Sequence, residues 1–311
     1  MAVRISERRV CYHGRAEARA RLGYRESESA MSEPGNGPQR IAYQGEPGAY
    51  GEEAVIRYFG PQVTPCPQPS FRAVFNAVSS GETDGGLIPI ENSQAGSVYE
   101  NYDLLRAAQL HLTGEICLPV NHCLLCLPGQ ELRDIKRVIS HPQALAQSDD
   151  YLRSLGVEIE AEYDTAGSAK LIRERNLMGV AAVASARAAE IYDLAILARS
   201  IQTVKGNYTR FVELSRQPRP VPPGPAKTSL MLVTQHVPGA LHRALGVFAR
   251  RQINLLKLES RPSREQPWEY VFYLDIEGAT DAEPVARALK SLREHTLTVQ
   301  IFGSFPRSPD C

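Results

Sequence analysis

The sequence carries no net charge, no long apolar run and no ordered array of cysteines, and each lack removes a class of protein. Lys plus Arg number 35 and Asp plus Glu number 35, a formal charge of zero. Without a one-signed field the chain has no general pull toward nucleic acid or an anionic membrane, so a small molecule or another protein is the expected partner. Nowhere do apolar residues run for the roughly 18 positions that a spanning helix needs, and the N-terminus has no continuous apolar stretch of the secretory kind. These features read as a soluble, intracellular, cytoplasmic protein. The six cysteines are scattered, which fits a reducing compartment where thiols stay free. No Gly-rich dinucleotide fingerprint follows a strand.

What is present is room for two domains or slightly more in 311 residues, each able to bury a core. One local pair, Cys123 and Cys126 in "NHCLLCLPG", has C-x-x-C spacing with His122 beside it. The surrounding "LPVNHCLLCLP" reads as a strand, in which residues three apart face opposite ways, and no second pair completes a zinc site. Both are therefore expected to be buried structural thiols, with no metal.

Residues 1–38 are Arg-rich with interspersed Glu and end in the turn formers "SEPGNGPQ", which predicts a mobile N-terminal extension. Met31 is an alternative start. An Arg-rich leader also fits an organelle transit peptide, although such peptides avoid the acidic residues found here. From Ile41 the pattern becomes strand, polar turn and helix, repeated, which predicts an α/β fold with a mostly parallel sheet and a ligand crevice at the strand ends. In "SFRAVFNAVSSG", Ser70 is a good N-cap, and Phe71, Val74, Phe75 and Val78 fall on one helical face.

Prolines crowd residues 217–226 and mark a linker. The order βαββαβ beyond it is the ferredoxin-like plan. Its first helix is expected to bury Leu241, Leu245, Phe248 and Ala249, and its second to open with a capping box from Thr280 and Glu283.

Four polar turns compete for chemistry: "QGEPGAYG" (44–51), "ENSQAGS" (91–97), "DTAGSA" (164–169) and "GNYTRF" (206–211). In three of them small residues and hydroxyls lead toward a helix, whose free N–H groups favour an anion. Several such ends plus one arginine point to a ligand with more than one carboxylate.

"YQGEPGAYGEEA", "IPIENSQAGSVYENYDLL", "SHPQALAQ", "AAVASARAAEIYDL" and "NYTRF", in this order, resemble the prephenate dehydratase family and its plant relatives, the arogenate dehydratases. "PGAL" (238–241) and "ESRP" (259–262) resemble the phenylalanine-binding motifs of its ACT regulatory domain. "NYDLL" and "HCLLCLPG" resemble the plant branch. The resemblance implies a catalytic domain over residues 39–216, folded as two α/β lobes like a periplasmic binding protein, and an ACT domain over residues 227–306. It implies decarboxylative dehydration of prephenate to phenylpyruvate, or of arogenate to phenylalanine, with feedback by phenylalanine and a homodimer or homotetramer. No cofactor is expected, because aromatisation of the ring supplies the driving force. A non-catalytic amino-acid sensor with the same cleft is a competing reading, against which the intact "TRF" weighs.

By the same resemblance Thr209, Arg210 and Phe211 are the catalytic residues. Asn92, Ser93, Gln147, Thr165, Ser168 and Asn207 are substrate-binding residues. Pro238, Gly239, Ala240, Leu241, Glu259, Ser260, Arg261 and Pro262 bind phenylalanine across a dimer interface. Thr209 is expected to donate a hydrogen bond to the departing hydroxide, Arg210 to clamp the side-chain carboxylate, and Phe211 to pack on the ring. Strand alternation opposes bringing all three to one cleft, so an irregular strand at Gly206 and Asn207 is required.

Overall fold

The segment "RIAYQ" forms β1 (Arg40–Gln44), whose Ile41, Ala42 and Tyr43 are buried on both faces, as a central strand requires. The structure is a computed structural model and describes residues 38–263, 270–309 and 311. Apart from Pro38, the expected extension over residues 1–38 lies outside the described residues. After β1 come α1 (Tyr50–Phe59), β2 (Thr64–Gln68), α2 (Phe71–Ser80), β3 (Gly85–Asn92), the short β4 (Gly96–Ser97), α3 (Tyr99–Ala107) and β5 (His111–Pro119). Ser70 caps α2 by accepting from the Ala73 N–H at 3.2 Å, and Val74, Phe75 and Val78 are buried at helical spacing.

The chain then crosses to a second lobe: β6 (Cys123–Cys126), β7 (Arg137–Ser140), α4 (Pro142–Gln147), α5 (Asp149–Leu155), β8 (Glu158–Ala161), α6 (Thr165–Glu174), β9 (Val180–Ala184), α7 (Ala186–Ile191) and β10 (Ala195–Arg199). It returns as β11 (Tyr208–Ser215). The first sheet has the order β2-β1-β3-β11-β5, and the second β10-β6-β9-β7-β8. The expected mostly parallel sheet is corrected to two mixed sheets. β11 comes back from the second lobe and enters between β3 and β5, antiparallel to both. A strand that returns from another lobe leaves no trace in a local strand–turn–helix pattern.

Residues 216–225 join the lobes to β12 (Ala226–Val233), α8 (Ala240–Ala249), β13 (Leu255–Pro262), β14 (Tyr270–Glu277), α9 (Glu283–Arg293) and β15 (Thr298–Pro306). The sheet order β13-β14-β12-β15, antiparallel throughout, is ferredoxin-like. Two local expectations are corrected. α8 buries Ala240, Ala244, Val247 and Phe248, a face rotated from the expected one, because the small alanines let the helix approach its sheet. α9 has no side-chain cap at its N-cap Ala282, and Thr280 instead donates its N–H to Ser304 Oγ at 3.1 Å.

The sheet face opposite these helices packs on the first lobe. Met231, Val233, Val271, Tyr273, Phe302 and Phe305 share one core with Leu105, Leu112, Val212 and Leu214. Gly303 allows the approach: a Cβ there would lie 2.0 Å from the Leu112 carbonyl oxygen. The chain end then follows β5, with the Ser308 N–H donating to Glu115 Oε1 at 3.1 Å, and Cys311 forms a disulfide with Cys117. The expectation of free thiols throughout is therefore corrected, since 194 residues separate this pair and only the fold brings them together. Cys123 and Cys126 are free and buried, on opposite faces of β6, with burial raising both thiol pKa values. Among the described residues no helix is long and apolar enough to cross a membrane, and no group of three or more His, Cys, Asp or Glu could hold a metal.

Candidate active site

A cleft of about 500 Å³ lies between the two lobes, at the ends of β1, β3 and β11. Each of the four polar turns contributes to its lining, through Gln44 and Tyr50, Asn92, Asp164 and Thr165, and Thr209. Ser70 and Phe71 at the start of α2 and His141 at the start of α4 complete the rim. The starts of α2, α4 and α6, capped by Ser70, His141 and Asp164, thus face a cleft whose described lining contains no Lys or Arg.

β3 and β11 form the floor, and an irregularity sets their faces. Opposite β11, Thr209 pairs with Asn92, Arg210 with Glu91 and Phe211 with Pro89, so Ile90 is an extra residue in β3. This bulge places Pro89 and Asn92 on the same cleft face although they stand three apart. Pro89 is the signal that sequence reasoning missed, because proline inside a central strand marks a bulge.

Thr209 and Phe211 both line the cleft. Arg210 does not, and its expected role as carboxylate clamp is corrected. The bulge lies in β3, so β11 keeps its alternation and turns Arg210 to the opposite face. There its Nη1 lies 2.6 Å from Asp275 Oδ2 of β14 and 3.5 Å from Glu115 Oε2. Burial opposes the charge on Arg210, but Asp275 and Glu115 more than offset it and hold the pKa above the usual arginine value.

The Thr209 hydroxyl sits at the end of a directed chain of hydrogen bonds. Asn92 Oδ1 accepts from the N–H groups of Gln94 at 3.0 Å and Ala95 at 2.9 Å, which fixes its amide. Asn92 Nδ2 then donates to Thr209 Oγ1 at 3.0 Å and to Asn207 Oδ1 at 2.7 Å. With its oxygen committed, Asn207 donates through Nδ2 to Gln147 Oε1 at 3.1 Å. His122 Nε2 lies 2.9 Å from the same Gln147 oxygen, and Nδ1 lies 2.9 Å from Tyr50 OH, which donates to the Asn121 carbonyl at 2.9 Å. Burial lowers the His122 pKa, partly opposed by the Gln147 hydrogen bond. His122, set aside with the cysteine pair on sequence grounds, is thus part of the cleft wall.

Of the remaining expected residues, Gln147 and Thr165 line the cleft, and Asn207 reaches it through Gln147. Ser93 and Ser168 are corrected to structural positions that do not line it. Ser93 Oγ accepts from the Tyr208 N–H at 2.9 Å and so ties its turn to the start of β11, and Ser168 Oγ donates to the Asp164 carbonyl at 2.7 Å within its own turn. In the C-terminal domain Pro238, Gly239, Ala240 and Leu241 form the start of α8, where Gly239 takes φ +75°. Glu259 accepts from Tyr99 OH at 2.8 Å and from Ser97 Oγ at 3.0 Å, and Arg261 pairs with Asp103 at 2.6 Å. Both therefore engage α3 and its approach within one chain, while the alternate residues Ser260 and Pro262 are exposed.

Residues 41–219 match the family model for prephenate dehydratase, and residues 228–294 match the ACT domain. An arogenate dehydratase/prephenate dehydratase from Arabidopsis thaliana is 45% identical over 280 residues, covering 86% of this chain and 72% of that protein. Among solved structures, the prephenate dehydratase from Arthrobacter aurescens in complex with L-Phe superposes with TM-score 0.80 at 28% identity, covering 88% of this chain and 91% of the other. GqqA, described as a novel type of quorum quenching acylase, superposes with TM-score 0.81 at 39% identity, covering 87% and 99%. This chain belongs to the prephenate dehydratase family and carries a C-terminal ACT domain.

Proposed function

We propose that the cleft carries out decarboxylative dehydration, converting prephenate to phenylpyruvate or arogenate to phenylalanine, with Thr209 as the donor to the departing hydroxide. The observation that carries this is the direction of the Asn92–Thr209 hydrogen bond. Because Thr209 Oγ1 accepts from Asn92 at 3.0 Å, its own hydrogen is free to point into the cleft. Breaking the bond to carboxylate sends electrons through the ring, and hydroxide leaves only if it receives a proton or a strong hydrogen bond. Phe211 offers an apolar surface to the ring beside that hydroxyl. The start of α2 at Ser70, whose first turn holds no acidic residue, receives a carboxylate in place of Arg210.

One observation favours arogenate as the better substrate. Both substrates carry two carboxylates, and arogenate adds an ammonium group. Glu100 and Asp164 line the cleft while the described lining contains no Lys or Arg. A carboxylate facing the amine would attract arogenate and repel the keto acid's extra net charge. Phenylalanine acts as effector through the ACT domain. We further place a second copy along β13, the outer strand of its sheet, where Leu258 is exposed; sedimentation of a monomer at assay concentration would remove this pairing.

The test is to give the protein prephenate and arogenate side by side, with and without phenylalanine. Turnover of one or both, lost in Thr209→Ala with substrate still bound, supports the reading. Binding of either compound without turnover by the wild-type protein would replace it with a sensor role.

A further inference from the structure

Asp275 stands on β14, 4% exposed, on the sheet face turned toward the first lobe. It accepts from Ser229 Oγ through Oδ1 and from Arg210 Nη1 at 2.6 Å through Oδ2. Arg210 is flanked along β11 by Thr209 and Phe211, which face the cleft. The strand is thus held from behind by the ACT sheet at the very residue between its two cleft residues.

The seam around this pair is charged and balanced, and buried except at Glu91. Arg210, Lys227 and Lys257 meet Glu115, Asp275 and Glu91, with Lys227 Nζ 2.8 Å from Glu115 Oε2 and Lys257 Nζ 3.0 Å from Glu91 Oε2. Glu91 and Asn92 repeat on β3 what Arg210 and Thr209 do on β11. In each strand one residue faces the seam and its neighbour faces the cleft. Removing the charge of Asp275 takes away the nearest partner of Arg210 and leaves only Glu115 and Glu91, each at 3.5 Å, so the guanidinium is drawn toward them. Movement of Arg210 swings the backbone of β11 and carries Thr209 with it.

We propose that Asp275 is a positioning residue for the dehydration: through Arg210 it fixes the strand that presents Thr209 and Phe211, so the ACT domain helps build the active site as well as regulating it. The inference rests on the cleft reading above. It concerns orientation and not contact, since Asp275 touches no lining residue. A misplaced donor loses the transition state more than the ground state, so the effect should fall on kcat rather than on KM.

The test compares the full-length protein with Asp275→Asn, Asp275→Glu and, as a control, Arg287→Gln on the exposed face of α9. Asp275→Asn should lower kcat at least tenfold with KM within twofold, and Asp275→Glu should recover part of the loss. Amide hydrogen exchange at residues 208–212 should accelerate in Asp275→Asn and not in the control, while exchange in β1 stays unchanged. The exchange measurement needs no turnover, so it stands even if neither substrate is converted, an outcome that would count against the proposed function alone. A folded Asp275→Asn protein with wild-type exchange at 208–212, or with wild-type kcat where the wild type is active, would overturn the proposal.

Discussion

Asn92 donates to Thr209 across 3.0 Å, and the direction of that bond is decided by backbone groups two and three residues beyond Asn92, before Thr209 is reached. The asparagine is an adaptor between a tight turn and the hydroxyl proposed as the donor. Asn92→Asp would replace the donor by an acceptor and turn the Thr209 hydrogen inward. Its kcat should fall by about 10² to 10⁴, the usual worth of a placed proton donor. Thr209→Ser should retain activity and Thr209→Val should not, which steady-state kinetics will check.

The buried His122 makes stability depend on pH with a definite sign. Its folded pKa lies below the ordinary histidine value of 6.5, so the unfolded chain binds its proton first as pH falls. Stability should be full above pH 6.5 and decline as pH falls toward the lowered folded pKa, at no more than about 1.4 kcal/mol per pH unit from this group. Denaturant midpoints for the wild type and His122→Gln across this range provide the check. The variant should lose the slope, and an unchanged slope would assign it elsewhere.

Asp164 caps α6 by accepting from the Gly167 N–H at 2.7 Å, and asparagine caps as well as aspartate. Asp164→Asn should therefore fold normally while losing the charge toward an ammonium group. The ratio of kcat/KM for arogenate to that for prephenate should drop about tenfold, corresponding to about 1.4 kcal/mol of charge attraction. An unchanged ratio in this variant and in Glu100→Gln would remove the arogenate preference.

Gly303 has no substitute of ordinary shape. An added methyl would meet the Leu112 carbonyl oxygen at 2.0 Å, so β15 must lift from β5. Gly303→Ala should destabilise by about 1–3 kcal/mol, the usual range for overpacking. Thermal unfolding together with exchange along β5 will show whether the loss sits at this seam.

The Cys117–Cys311 bond ties the chain end to β5. Its removal by reduction or by Cys311→Ser should lower stability by about 2–5 kcal/mol, as expected for a bond that closes a long loop. Equal denaturant midpoints with and without reductant would show that the bond does not form in solution.

Much of this was legible in the sequence because it is local. Ser70 and the apolar period after it specify α2, and the four polar turns each mark a wall of the cleft. What was not legible depends on contacts across the chain. Nothing in "TRF" says which face of β11 looks into a cleft and which onto another domain, so the expectation that Arg210 shares the cleft rests on the family resemblance alone. Leu112 and Gly303 meet only after the C-terminal sheet has docked, and Cys117 and Cys311 only after the tail has turned back. Pro89 is the local clue to the bulge at Ile90.

The core shared between the ACT sheet and the first lobe decides what can be cut from this protein. Severing the chain in the proline-rich joint would bare Leu112, Val212 and Leu214 to water and leave the buried Glu115 without its lysine. A catalytic fragment made that way should precipitate or misfold, so an effector-insensitive enzyme is better sought by single substitutions than by truncation.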